Sequence, residues 1–115
     1  MLPKKLRMDK KELGIFFKEK SRFFRGNLIS LKISKNSLDQ LKWAFVVSSA
    51  IKKNAVARNT VRRRMNEVAQ EINPSIFKKF NIVVIFRLND KKPPSFRALK
   101  DDMIRTLAIC GALSK

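Results

Sequence analysis

Histidine and tyrosine are absent from these 115 residues, and cysteine occurs once. Without histidine the chain lacks the commonest general base and the commonest metal ligand. A single cysteine, Cys110, excludes an internal disulfide and cannot build a zinc site. Among apolar neighbours it reads as a buried structural thiol, which fits a reducing cytoplasm. The three glycines form no phosphate-cradling loop. No apolar run reaches the ~18 residues of a membrane-spanning helix. No apolar signal core follows the basic N-terminal stretch "MLPKKLRMDKKELG". Acid is also scarce, with 9 Asp and Glu against 27 Lys and Arg. The only adjacent carboxylates, Asp101 and Asp102, would point about 100° apart on a helix and would not converge on one metal. We therefore expect no catalytic residue, no metal site and no cofactor held by the polypeptide alone.

What is present is a formal charge of +18 on a chain that is 44% hydrophobic. That apolar fraction argues for a folded domain, and the length allows one. The charge excess works against compaction by self-repulsion, so a polyanionic partner is its natural explanation, with nucleic acid first. The reading is a single RNA-binding domain over 1–115, with residues 1–8 as a flexible basic segment.

Spacing predicts the elements. "DKKELGIFFKEK" (9–20) carries Leu13, Phe16 and Phe17 at helical intervals. "NLISLKI" (27–33) and "WAFVVSS" (43–49) read as strands, and the polar stretch 34–42 between them as the loose loop of a hairpin. "NIVVIFRL" (81–88) begins as a central strand buried on both faces. "FRALKDDMIRTLAICGAL" (96–113) places Phe96, Leu99, Met103, Leu107 and Cys110 on one helical side, starting near Pro94 or Ser95. The expected class is α+β, an α/β sandwich with one mixed sheet packed by helices in the order α-β-β-α-β-α.

The fourth element holds the densest basic cluster, "KNAVARNTVRRRMNE" (53–67). Asn54 is a plausible N-cap, and Asn73–Pro74 ends the helix. On a helical wheel Ala57, Val61, Met65, Val68 and Ile72 share an arc of about 80°. Arg58, Arg62 and Asn66 follow along one margin of that arc, with Asn59 and Arg63 beyond. An arginine at such a margin has its stem packed and its planar fork fixed in direction, which suits phosphate oxygens. Asparagine can reach a base edge or a 2′-hydroxyl. Phe16, Phe17, Phe23 and Phe24 lie among Lys18, Lys20, Arg22 and Arg25. Aromatics interleaved with bases can stack single-stranded nucleotides, and Arg22 and Arg25 are candidates for further phosphate contacts.

These residues resemble a signature. "NAVARNTVRRRMNE" is similar to the bacterial ribonuclease P protein family, whose pattern is roughly N-A-V-x-R-N-x-[IV]-[KR]-R-x-x-R-E. Asn54, Ala55, Val56, Arg58, Asn59, Val61, Arg62, Arg63 and Glu67 match in order, and the likeness extends over nearly the whole chain. The sequence departs from the pattern at four places. Lys52–Lys53 sit two places late, with Lys53 where a glycine is usual. Asn66 replaces an arginine. Leu13 and Phe17 stand where the family carries two first-helix aromatics. Leu31 is the nearest match to a first-strand aromatic.

The resemblance implies an RNA subunit that holds the active site and its Mg²⁺. The protein would bind that RNA and the 5′ leader of precursor tRNA. It also implies a left-handed βαβ crossover and a leader cleft between the signature helix and the sheet. By that match Lys52, Lys53, Asn54, Arg58, Asn59, Arg62, Arg63 and Asn66 are the RNA-binding set. Leu13, Phe16, Phe17, Leu31, Arg58, Asn59 and Arg62 line the cleft. A membrane or protein partner is not expected. The alternative is a basic RNA-binding protein of ribosomal or RNA-chaperone type, which has no need of the ordered R-N-x-V-R-R helix. A stand-alone nuclease is disfavoured by the missing histidine and the absence of converging carboxylates.

Overall fold

The computed structural model describes residues 3–35, 41–49, 55–72, 80–88 and 93–111. Lys52, Lys53, the proposed cap Asn54 and the Asn73–Pro74 stop lie outside them. The elements are a 3-10 turn at Lys4–Leu6, α1 (Lys10–Lys18), β1 (Arg22–Arg25), β2 (Ile29–Lys35), β3 (Lys42–Ser49), α2 (Ala55–Ile72), β4 (Phe80–Leu88) and α3 (Phe96–Ile109). The α+β class stands, with one strand more than expected, β1, "RFFR".

α1 begins at a reciprocal cap. The Asp9 side chain accepts from the Glu12 backbone N–H, and the Glu12 carboxylate accepts from that of Asp9. Ser95 caps α3 by accepting from the Ala98 N–H.

The sheet order is β1-β2-β4-β3. β2 is antiparallel to both β1 and β4, while β3 runs parallel to β4. The expected hairpin between the second and third strands is therefore corrected. β4 lies between them, and the true hairpin is β1–β2. α2 is the crossover that the parallel β3–β4 pair requires. After the 3-10 turn, the chain meets β3 before it enters α1. Arg7 forms a parallel bridge with Trp43, and the Met8 N–H donates to the Trp43 carbonyl at 2.8 Å.

Period-2 alternation sends Ile29, Leu31, Ile33, Trp43, Val47, Ile82, Val84, Phe86 and Leu88 to one face. There they meet Val61, Met65, Val68 and Ile72 of α2 and Leu99, Met103 and Leu107 of α3 in one buried cluster. α2 and α3 are also tied at their rims, by Arg64 Nη1 donating to the Pro94 carbonyl at 2.7 Å and by Lys100–Glu71.

A buried carboxylate locks the β1–β2 turn to α3. Asp102 accepts the backbone N–H groups of Asn27 (3.0 Å), Leu28 (2.8 Å) and Ile29 (3.0 Å). The turn can approach this closely because Gly26 has no side chain. A Cβ there would lie 2.5 Å from Thr106 Oγ1, 2.6 Å from Asp102 Oδ2 and 2.9 Å from the Ile29 carbonyl. Two of these groups are held in place, the carboxylate by its three donors and the carbonyl by the Gly26 N–H. Gly26→Ala should cost about 3 kcal/mol, the upper end for overpacking. The check is the shift of urea midpoint at unchanged slope; a loss below about 0.5 kcal/mol would mean that the turn can move away from α3.

Candidate nucleic-acid interface

The other face of the sheet is the one left open. Its residues are set by register: Phe23 and Arg25 of β1; Ser30, Lys32 and Ser34 of β2; Asn81, Val83, Ile85 and Arg87 of β4; Ala44, Val46 and Ser48 of β3. None is acidic. α1 covers part of it. Glu12 pairs with Lys42, which sits beside Asn81 on this face. The Lys32 ammonium stands 5.3 Å from the Phe17 ring centroid, a cation–π distance. Phe16 is buried to 3% exposure, outside the main core cluster, and packs edge-on to Phe17. Phe17 itself is 48% exposed.

Several expected contacts are thereby corrected. Leu31 is fully buried on the α2–α3 side and offers nothing to a ligand. Its neighbour Lys32 faces the open side, with Ser30 and Ser34. Phe16 anchors α1, so only Phe17 of that pair presents a ring. Leu13 is half-buried on the same helix. Arg22 and Arg25 part company: Arg25 belongs to the open face, whereas Arg22 lies over the Phe24 ring, 5.0 Å away, on the opposite side of the edge strand.

The signature helix behaves as the wheel implied over its first half. Ala57 and Val61 are buried, Arg58 is half-buried, and Asn59, Arg62 and Arg63 are exposed. Arg62 Nη1 donates to Asn59 Oδ1 at 3.2 Å, so two members of the stripe hold each other in position. No acid lies in the first turn, leaving the positive end of the helix dipole unopposed.

The second half differs. Asn66 and Ala69 are buried with Met65 and Val68, so the packed arc widens beyond the apolar stripe. Asn66 donates to the Arg62 carbonyl at 3.0 Å, and its Oδ1 has no partner among the described residues. It is therefore withdrawn from the RNA-contact set. Ala57, Val61, Met65, Val68 and Ile72 are each at most 7% exposed, as the shared apolar arc implies.

Two basic surfaces result, one on α2 and one on the open face of the sheet. β3 ends at Ser49, where Ser48 pairs with Arg87, and α2 starts at Ala55. The Arg58–Asn59–Arg62–Arg63 stripe thus lies on the first half of the element that follows β3 in the described chain, and that element packs against β3. Sequence reasoning missed Lys32 and Arg87. Each alternates with buried neighbours along its strand, and that alternation is the signal that places it on the open face. Among the described residues no three His, Cys, Asp or Glu side chains converge as a metal-holding group. No helix there is long and apolar enough to cross a membrane.

Comparison with known proteins agrees with this geometry. The chain is 26% identical over 117 residues to the Ribonuclease P protein component of Syntrophomonas wolfei subsp. wolfei, spanning 100% of this chain and 95% of that one. Its fold is similar to that of a Staphylococcus aureus RNase P protein mutant with defective mRNA degradation activity, with TM-score 0.79 and 22% identity over 96% of this chain and 92% of that one. It is also similar to the RNase P protein from Thermotoga maritima, with TM-score 0.70 and 23% identity over 86% and 92%. The model of the Ribonuclease P family matches residues 2–111, nearly the full length. With its ordered arginine–asparagine helix and acid-free sheet face, this chain belongs to the Ribonuclease P family, as a protein subunit of that tRNA-processing holoenzyme.

Proposed function

We propose that the protein works as a non-catalytic partner of a catalytic RNA subunit, holding that RNA through the α2 stripe and the 5′ leader of precursor tRNA on the open sheet face. The observation that carries this reading is the Phe17–Lys32 pair on that face: an exposed ring beside an ammonium group, with no acid in the surrounding register. A single-stranded leader can stack a base on such a ring and place a phosphate on the cation. Arg58, Asn59, Arg62 and Arg63 suit structured RNA, since guanidinium forks match phosphate oxygens and Asn59 offers both donor and acceptor. In this reading bond cleavage stays with the RNA and its Mg²⁺, held mainly by RNA. The protein raises the local concentration of substrate and fixes the leader's direction. The site of action is the bacterial cytoplasm.

Phe17→Ala tests it in the reconstituted holoenzyme. Stacking on an aromatic contributes about 1–3 kcal/mol per base, so precursor tRNA should bind about tenfold more weakly while mature tRNA binds as before. Only the precursor has a leader to stack. Equal weakening of both ligands would make Phe17 a packing residue and move the leader off this face.

A further inference from the structure

Four phenylalanines follow one another through α1 and β1, and the structure sorts them. Phe16 is buried. Phe24 packs against the main core, with Arg22 over its ring. Phe17 and Phe23 remain, 48% and 56% exposed. The two are not scattered. Phe23 is the direct cross-strand partner of Lys32, and the Lys32 ammonium lies 5.3 Å from the centre of the Phe17 ring. One lysine is thus flanked by two exposed rings, one from a helix and one from the edge strand, on the same face.

An exposed phenylalanine on a four-residue edge strand is ordinarily a liability for unwanted pairing. Here the strand is held firmly. Its turn is clamped by three N–H groups donating to Asp102, and Gly26 is pressed against α3. Phe23 is therefore displayed from a rigid support, as a stacking platform requires. Arg25, on the same face of β1, continues the positive charge past the ring.

We propose that Phe23 is a second base-stacking position for the leader, paired with Phe17 across Lys32, so that this face cradles two bases around a shared phosphate contact. The proposal rests on the leader reading given above. Directly opposed residues in an antiparallel pair have Cβ atoms about 5 Å apart. The side chain of Lys32 therefore spans the space between the two rings, with its ammonium 5.3 Å from the centre of the Phe17 ring, and a few nucleotides of a single strand can reach from one ring to the other. The ligand this fits is single-stranded RNA, because two separated rings with a cation between them have no match on a paired duplex whose bases are stacked inside.

The test is a leader-length series. Holoenzymes carrying wild-type protein, Phe17→Ala, Phe23→Ala and Phe23→Trp are compared for affinity towards precursor tRNAs whose leaders grow one nucleotide at a time. Phe23→Ala should weaken binding by about tenfold once the leader reaches the site, leave shorter leaders and mature tRNA unaffected, and be restored by Phe23→Trp. The length at which its penalty appears should lie within a few nucleotides of that for Phe17→Ala. Suppose Phe17→Ala shows its penalty and Phe23→Ala shows none at any length. The second position is then refuted, while the leader site stands. If neither variant responds to leader length, the leader reading itself has failed. A Phe23→Ala penalty that is the same for mature tRNA, or a change of oligomeric state with leader affinity intact, overturns the proposal in favour of a packing or pairing role for β1.

Discussion

Purified free of RNA, the protein will leave precursor tRNA uncut at every Mg²⁺ concentration, and adding a bacterial RNase P RNA will produce cleavage at the mature 5′ end. The expectation comes from the residues that could act. There is no histidine to serve as base. Among the described carboxylates, Asp9 and Glu12 serve in a helix cap, Glu71 in an ion pair with Lys100 and Asp102 in a turn clamp, and no three acidic or thiol side chains converge. The candidate surface presents ammonium groups, guanidinium groups and rings, which bind and orient a polyanion. The measurement is single-turnover cleavage of end-labelled precursor with and without the RNA, at high and low Mg²⁺. The gain from protein should be greatest at low Mg²⁺, where metal ions alone screen the RNA poorly. RNA-free turnover at the mature 5′ end would overturn the division of labour.

How much of this was legible beforehand differed by element. α2, α3 and β4 were placed within a few residues because each has a continuous apolar pattern at its own period. β1 was not. "RFFR" has no alternation of apolar and polar, and its strand character comes from pairing with β2, a tertiary effect on which local propensity is silent. The misplaced hairpin has a related cause. The strand that separates β2 from β3 is supplied from about fifty residues further along (Phe80–Leu88), and no local signal announces a long-range insertion.

Face assignment was the harder problem for the site. Transferring a first-strand aromatic by position gave Leu31, but one residue along a strand is the difference between core and surface. The residue that points outward is Lys32. Asn66 failed for a different reason. The wheel drew the packed arc from apolar residues alone, so a buried polar residue at its edge was counted as outside. Conversely, the arginine stripe was legible because charge cannot be buried unpaired. Once Val61 faced inward, Arg62 and Arg63 had to face water.

The salt dependence of RNA binding should be steep, and two adjacent arginines should divide it cleanly. About half a dozen phosphate contacts would lower affinity by about three orders of magnitude or more between about 50 and 200 mM salt, because each contact releases counterions. Arg63 is exposed on the stripe side of α2. Arg64, the next residue, points some 100° round the helix. It is half-buried, with its guanidinium donating to the Pro94 carbonyl that precedes α3. Arg63→Ala should therefore make the slope of log affinity against log salt shallower by about one unit, with stability little changed. Arg64→Ala should do the reverse, leaving the slope as it was and lowering the unfolding midpoint, since it removes a charge-assisted hydrogen bond and a packed stem at the α2–α3 junction. Both variants carry the same net charge, so a general loss of positive potential cannot explain a difference between them. Equal slopes for the two variants would mean that the RNA senses the chain only as a diffuse cation, and the ordered stripe would lose its claim to be the contact surface.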